Sequence, residues 1–444
     1  MLKKVLLVVI ITFFVSNSHA GDLLTSWHAA RAYDASFLAA GKASAAGLEK
    51  STQGDSLILP QIAFTANMDQ TKKSVHPGDP LTAGTDEHGP QYGSAISLVQ
   101  PIYNASAFAI RDELNLQAEE AQVQYRIAEQ DLMLRVAKAY FEVLLSQKNV
   151  DLVKAQMDAV SQQLAQAKKM FSVGSATITD TNEAQARFDA IVAGDISARN
   201  DLKLKQSAYR QLTNLDPFEL VPISETRTPI PPQPAVIDTW LEKAPSGNLT
   251  VIAQKMGLQI AKSEIARYRL ETSPILSLVA GFGTQWDGST STHSDLPDRT
   301  SDGTIGLQLT IPLYTGGYRS SKYRESVSLA AQQRDALEAV IRDAQQTIRQ
   351  SFYGVETGAA QIKAFEQVLI SSASFVASSK MGRDVGIRTT VDVLNAQQIH
   401  YQNLYNLVVA RYQYLLSKLQ LAAAVGNLDE SEIENVNGWL ITIM

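Results

Sequence analysis

The sequence predicts an α+β membrane protein with an internal duplication, in which strands from several copies close one β-barrel and very long helices form its staves. Three observations predict this class. Motifs recur at a fixed separation, four runs alternate apolar and polar residues at period two, and two stretches far longer than ordinary helices read as uninterrupted helix.

The duplication is clearest at Val173-Gly174-Ser175-Ala176-Thr177-Ile178-Thr179-Asp180, which returns as Val385-Gly386-Ile387-Arg388-Thr389-Thr390-Val391-Asp392 about 212 residues later. Ala184-Gln185 answers to Ala396-Gln397, and Ala198-Arg199 to Ala410-Arg411, in the same register. Pro101-Ile102-Tyr103 pairs with Pro312-Leu313-Tyr314, and Pro60 with Pro274, with a drift of a residue or two. A unit of roughly 200 residues is too long for a solenoid repeat and suits a pseudo-symmetric assembly.

The predicted segments are a signal peptide over 1–20, a first repeat over 21–215, a proline-rich linker over 216–235, a second repeat over 236–427 and a tail over 428–444. The signal has Lys3 and Lys4, an apolar run from Val5 to Val15, and small residues at Ser18 and Ala20. Residue 21 is glycine and the chain has no cysteine, so a lipid-anchored start and a disulfide framework are both excluded. After residue 20 no apolar run approaches the roughly 18 residues of a membrane helix, so only strands can cross a bilayer. A net charge of -6 offers no basic surface for nucleic acid.

In the second repeat Leu276, Leu278, Ala280 and Phe282 share one strand face, ending at Trp286, and Ile305, Leu307, Leu309 and Ile311 share another. In the first, Ile62, Phe64, Ala66 and Met68 are followed by Ile96 and Leu98. Runs of about ten residues fit tilted transmembrane strands. Turn-forming loops separate each pair, His76 to Pro80 in one repeat and Asp287 to Gly303 in the other. Four strands cannot close a barrel, whereas three copies supply twelve, an even number as bacterial barrels prefer.

The residues from Ala105 to Phe171 contain no proline or glycine and predict one helix of roughly 100 Å. Its counterpart runs from Tyr318 to Met381. Shorter helices are predicted from Asp22 to Leu57 and from Asp180 to Leu215; two of these end to end match one long stave. Six prolines (Pro217, Pro222, Pro229, Pro231, Pro232 and Pro234) forbid a helix in the linker, which is expected to form a belt outside the rods with the tail after Asn427. The apolar end Trp439 to Met444 has no sequence-level assignment.

Catalysis finds no footing. The histidines lie far apart, and there is no phosphate-binding loop, nucleophile elbow or cysteine nucleophile, so neither an enzyme nor a cofactor is expected. Gly316-Gly317 reads as a tight strand-to-helix junction. Gln, Ala and Ser stripes such as Gln162-Gln163 and Ala165-Gln166 read as close packing between staves or as the lining of a wet tunnel. Tyr401, Tyr405, Tyr412 and Tyr414 read as packing between helices.

Helix, strand, loop, strand, long helix, Val-Gly turn and helix, run twice behind a signal peptide, resembles the TolC family of outer-membrane efflux and secretion channels. The sharpest motifs are Phe171-Ser172-Val173-Gly174 with Ile178-Thr179-Asp180, and Val385-Gly386 with Arg388-Thr389 and Val391 to Leu394. The resemblance implies a trimeric channel-tunnel in the outer membrane, with four strands per protomer in a shared 12-stranded barrel that continues into a long periplasmic α-helical barrel. It implies a passive duct fed by an inner-membrane ABC or proton-driven pump through a periplasmic adaptor. The turns Val173, Gly174, Ser175 and Val385, Gly386, Ile387 would dock the adaptor.

The resemblance further implies a gate formed by Thr179, Asp180, Arg383, Arg388, Asp392 and Asn395, in which Arg388 bridges to Asp180 and Asp392 faces the pore. Asn395 stands where the family often has a second aspartate, and Arg383 where it has an aromatic link residue. Asp180 also fits a capping box with Glu183, whereas Asp392, followed by Asn395, lacks one. A trimeric adhesive coiled-coil stalk is the competing expectation; it calls for sustained heptads, which two hairpins interrupt here.

Overall fold

The computed structural model describes residues 21–76, 78, 85–217, 220–288 and 298–441. The expected signal peptide over 1–20, parts of both inter-strand loops, Phe218, Glu219 and the last three residues lie outside the described residues. The elements in chain order are α1 (Leu23–Tyr33), α2 (Ala35–Ser56), β1 (Gln61–Val75), β2 (Thr85–Asn104), α3 (Ala105–Ser172), α4 (Ile178–Thr213), α5 (Asp238–Leu241), α6 (Ala244–Gly247), α7 (Leu249–Leu270), β3 (Ile275–Asp287), β4 (Asp298–Thr310), α8 (Tyr318–Asp384), α9 (Thr390–Ala424) and α10 (Glu430–Asn437). The long helices α3 and α8 have 68 and 67 residues; α3 contains no proline or glycine, whereas α8 runs on through Gly354, Gly358 and Gly382. No helix among the described residues is long and apolar enough to cross a membrane.

These elements form two compact units, each drawn from both repeats. One comprises Ala40–Ile127 and Leu249–Asp343; the other holds the described residues up to Ala39, Ala128–Asn248, and those from Ala344 onward.

The first unit contains an antiparallel sheet in the order β1-β2-β3-β4. Its register sorts side chains by chemistry. Ile62, Leu98, Ala280 and Ile305 form one cross-strand row, and Phe64, Ile96, Phe282 and Gly303 the next. On this face Met68 is 72% exposed and Ile305 78%, so large apolar groups lie open along a whole sheet face. Water would penalise that arrangement and lipid favours it. Aromatic residues bound the band: Tyr92 packs on Trp286 at 6.2 Å, and Tyr103 and Tyr314 stand exposed toward the other end. The opposite face carries small and polar rows, Ala63, Ser97, Gly281 and Thr304, then Thr65, Ala95, Gly283 and Asp302. Within the chain β1 and β4 remain edges, so the sheet is closed only by further copies.

The strands have 15, 20, 13 and 13 residues and exceed the expected ten, because pairing continues past the apolar band into polar residues such as Asp69 and Lys72. Asp302 and Gly303, expected in a loop, belong to β4. Pro101 lies where the β2–β3 register shifts, the irregularity at which a strand tolerates a residue with no N–H. The strand-to-helix junctions differ between repeats. Asn104 Oδ1 accepts from the Ala107 N–H at 3.0 Å, whereas Gly316 and Gly317 take φ of 64° and 81°.

In the second unit, the single helix expected from Asp22 to Leu57 is broken at Asp34. Its carboxylate accepts from the Phe37 N–H (2.8 Å), Ser36 Oγ (2.5 Å) and both Arg135 Nη atoms (3.2 Å each), capping α2 from outside. Burial alone would raise the Asp34 pKa, but these hydrogen bonds, led by Arg135, outweigh it and hold the value at about 2. The linker and tail pair with each other: Ile223 bridges Leu440, the Ile441 N–H donates to Pro222 O, and Trp439 packs on Tyr414 at 5.5 Å. That contact places the otherwise unassigned apolar residues through Ile441. Asp22 and Asn437, 415 residues apart, share a hydrogen bond of 2.8 Å.

Candidate functional site: the paired helical turns

Both Val-Gly turns are built alike from the residues that the repeats share. Gly174 has φ 77°, and the Ser175 N–H donates to Met170 O (2.9 Å) while the Gly174 N–H donates to Phe171 O (3.0 Å). Gly386 has φ 80°, with Ile387 donating to Gly382 O (2.9 Å) and the Gly386 N–H to Arg383 O (3.0 Å). This is the Schellman closure, whose left-handed residue favours glycine. Nothing lies within 4 Å of a Cβ built on either glycine, and Val173, Val385 and Ile387 are exposed, Ile387 by 80%. The turns therefore present bare backbone flanked by open apolar side chains.

Each turn then restarts a helix by one device. The Asp180 N–H donates to Thr177 Oγ1 (3.2 Å) and the Thr177 N–H to Asp180 Oδ2 (3.1 Å); the Asp392 N–H donates to Thr389 Oγ1 (3.1 Å) and the Thr389 N–H to Asp392 Oδ2 (2.8 Å). Two expectations are corrected here. Asp180 closes a capping box opened by Thr177 and does not open one with Glu183. Asp392 is capped identically, so the identity of residue 395 does not release it. These hydrogen bonds from Thr389, backbone first, hold the Asp392 pKa below its ordinary value, with Arg388 adding to the effect.

Arg388 Nη1 lies 3.8 Å from Asp392 Oδ1, one helical turn on, and within the chain Asp180 binds Thr177 and not Arg388. A Cβ on Gly382 would stand 2.7 Å from Arg388 Cγ, so that glycine makes room for the arginine stem. Thr179 is exposed on the first turn of α4. Arg383, with a side chain only 9% exposed, donates from Nη1 to Gln163 Oε1 of α3 and from Nη2 to Asp384 (2.7 Å). Arg187 of α4 donates to Asn395 Oδ1 (3.0 Å) and Gln398 Oε1 (2.8 Å) of α9. Beneath these polar contacts Val160, Leu164 and Ala167 of α3, Ala184 of α4 and Leu394 of α9 form one apolar cluster.

Of the expected gate residues, the fold thus joins Arg383 and Asn395 to the opposite repeat and leaves Asp180 and Arg388 apart within one chain. Arg187, Gln398 and Gly382 were not singled out by sequence, and Gln163 was read only as part of a stripe that packs between staves or lines a tunnel. A signal existed, since at the 212-residue offset Gln163 faces Phe375, Arg187 faces Ile399, and Gly382 faces Met170. No group of acidic and histidine side chains among the described residues could hold a metal ion.

Residues 27–215 and 240–427 each match the family described as outer membrane efflux protein. The chain belongs to that family. It is accordingly an outer-membrane protein, and its two matched segments are the duplicated unit. Among its relatives, the outer membrane protein TolC of Vibrio cholerae is 33% identical over 95% of this chain and 94% of its own length. The alkaline protease secretion protein AprF of Pseudomonas aeruginosa is 29% identical over 95% of this chain and 87% of its own. Among solved structures, VceC of Vibrio cholerae superposes with a TM-score of 0.77 at 16% identity, covering 92% of this chain and 97% of its own. The CmeC channel of Campylobacter jejuni superposes with a TM-score of 0.78 at 15% identity, covering 94% and 90%. The family member thus has the channel-tunnel fold, four strands per protomer in a shared barrel with long helices as staves.

Proposed function

We propose that the protein is the passive exit duct of a tripartite efflux or type I secretion system, a homotrimer in outer-membrane lipid that conducts small toxic compounds, secreted proteins or both. The observation that carries this reading is the four-stranded sheet with an open apolar face, a small polar face and two free edges. Such a sheet closes only with copies of itself, and closure puts lipid outside and water inside. An inner-membrane pump supplies the energy and a periplasmic adaptor joins the two, a reading supported by the lack of a phosphate-binding loop motif in the sequence. The exposed turns at Val173–Ser175 and Val385–Ile387 are where the adaptor docks.

The same turns form the gate. Asp392 lines the mouth, and Arg388 of one copy meets Asp180 of the next, a pairing that each chain leaves unmade within itself. Opening splays α8 and α9 away from α3 and α4. Deletion of the protein should sensitise cells to small toxic compounds or abolish secretion of a protein cargo; a deletion that changes neither sinks the duct. In planar bilayers, Arg388→Ser with Asp180→Ala should conduct more than wild type, and conductance at or below wild type counts against this lock.

A further inference from the structure

The two faces of the sheet carry opposite charges at the end away from the helices. On the apolar face the register closes the band with the row Met68, Tyr92, Trp286 and Arg299, and four residues farther out it pairs Lys72 with His88. Arg299, Lys72 and His88 are all exposed. The opposite face holds Asp69, Gln91 and Asp287 in one row and Asp302 nearer the helices, with Lys73 as the basic exception. There Gln91 donates to Asp287 (3.1 Å) and Asn67 to Asp69 (2.6 Å), so these carboxylates are held by amides of their own face. At the helix end of the apolar band, the outward row Tyr103, Leu276 and Leu309 carries no charge.

We propose that Arg299, Lys72 and His88 form a site on the outside of the barrel for a glycolipid of the outer leaflet that carries phosphates at more than one depth, a proposal that rests on reading the chain as a trimeric duct. Three features select that ligand. The first is sign. Cations face out and carboxylates face in at nearly the same level of the strands, although either sign would keep a strand end soluble, so each face is matched to its own surroundings. The second is place. Arg299 closes the aromatic row, the level at which a long cationic side chain lifts its head from the acyl region to the phosphates, and its planar fork suits a phosphate with two hydrogen bonds. The third is depth. Four residues span about 13 Å along a strand, or about 10 Å of depth at the usual tilt. A phospholipid offers its phosphate at one level, whereas a glycolipid with phosphates on successive sugars meets both rows.

Barrel closure gathers the site. Arg299 lies on the edge strand β4 and Lys72 on the edge strand β1, with β2 and β3 between them within one chain. In the closed barrel β4 of one copy neighbours β1 of the next, about 4.8 Å away, which brings cations of two copies to one seam. Like charges on neighbouring strands repel, and a bridging polyanion converts that repulsion into attraction. Beyond Lys72 the register sets Asp86 opposite Ser74, which bounds the cationic stretch on its outer side.

The test is native mass spectrometry of the purified full-length trimer in detergent. The probes are lipid A with its phosphorylated inner-core sugars, the same glycolipid stripped of phosphate, and phosphatidylglycerol. Wild type should bind one phosphorylated glycolipid per seam, with the stripped form and phosphatidylglycerol each about tenfold weaker. Lys72→Gln with Arg299→Gln should weaken the phosphorylated glycolipid about tenfold and leave the stripped form unchanged. Asp69→Asn, on the other face, should change neither.

Heat-resistant trimers on denaturing gels serve as the folding control. Should the double variant form none, Lys72→Gln alone decides, with an expected loss of about threefold. Wild-type affinity in either variant overturns the proposal. Equal binding of the stripped glycolipid, or of phosphatidylglycerol, by the wild type overturns it too. A wild-type protein that forms trimers and conducts without this preference sinks the lipid site alone. One that forms neither trimer nor channel sinks the duct with it.

Discussion

The turn after α3 and the turn after α8 share every residue needed to make a turn and differ in the residues that reach out of it. Val, Gly, Thr and Asp recur at 173 and 385, 174 and 386, 177 and 389, and 180 and 392, and each pair makes the same hydrogen bonds. At the flanks Ala176 stands against Arg388, Phe171 against Arg383, and Ile399 against Arg187. The comparison teaches that the shared Val, Gly, Thr and Asp mark local chain geometry, whereas the differences at Arg383 and Arg187 mark contact across the repeat boundary and Arg388 turns to Asp392 of its own repeat. A duplicated chain can keep its folding rules in both copies while only one carries a given contact.

The comparison is broken most forcefully at the glycines. Gly174→Val and Gly386→Val each force a β-branched residue to φ near 80°, at a cost of about 1–3 kcal/mol. If the turns are equivalent in construction, both substitutions should loosen the adjoining turn equally in hydrogen exchange, and both should impair adaptor binding in a pull-down. A large effect at one site only would show that the shared residues are not doing the same job.

Next in size are the caps. Thr177→Val and Thr389→Val remove matching side-chain acceptors and should each cost about 1 kcal/mol, read as lost exchange protection in the first turns of α4 and α9. Acid sharpens the contrast. The Asp392 pKa lies below the ordinary 3.8 because Thr389 donates to its carboxylate, so its folded-state value is below its unfolded one. Its stabilisation is therefore complete above pH 3.8 and is lost as the pH falls through the depressed value. Protection of the first turn of α9 should begin to fall below pH 3.8 and reach its floor below the depressed value, and Asp392→Asn should abolish the dependence. The smallest effect is expected at Gly382→Ala, whose Cβ displaces the Arg388 stem and should change bilayer conductance by about twofold; Met170→Ala at the matching position should change nothing.

Much of the fold was legible because it depends on local rules. The unbroken run from Ala105 gives α3, the period-two runs give the faces of β1 to β4, and the repeated Val-Gly pairs give the turns. The break at Asp34 was not legible, since Asp34-Ala35-Ser36 contains neither proline nor glycine and the cap gains its strength from Arg135, a hundred residues away. Strand ends were underestimated because backbone pairing does not stop where the apolar band does. At the candidate site the shared residues were evident, but Gln163 and Arg187 take their meaning from which face α3 and α4 turn toward the second repeat. That information lies in tertiary register rather than in any one segment.

The clasp between Asp22 and Asn437 has a consequence for the order of events during synthesis. The stretch that receives the earliest described residues is among the latest to be made: Leu23 donates to Asn437, and Leu440 closes on Ile223. This unit therefore cannot be completed by growth from one end. The emerging chain must cross the periplasm with α1 unclasped, and a product truncated before α10 leaves both Asp22 and the linker without their partners.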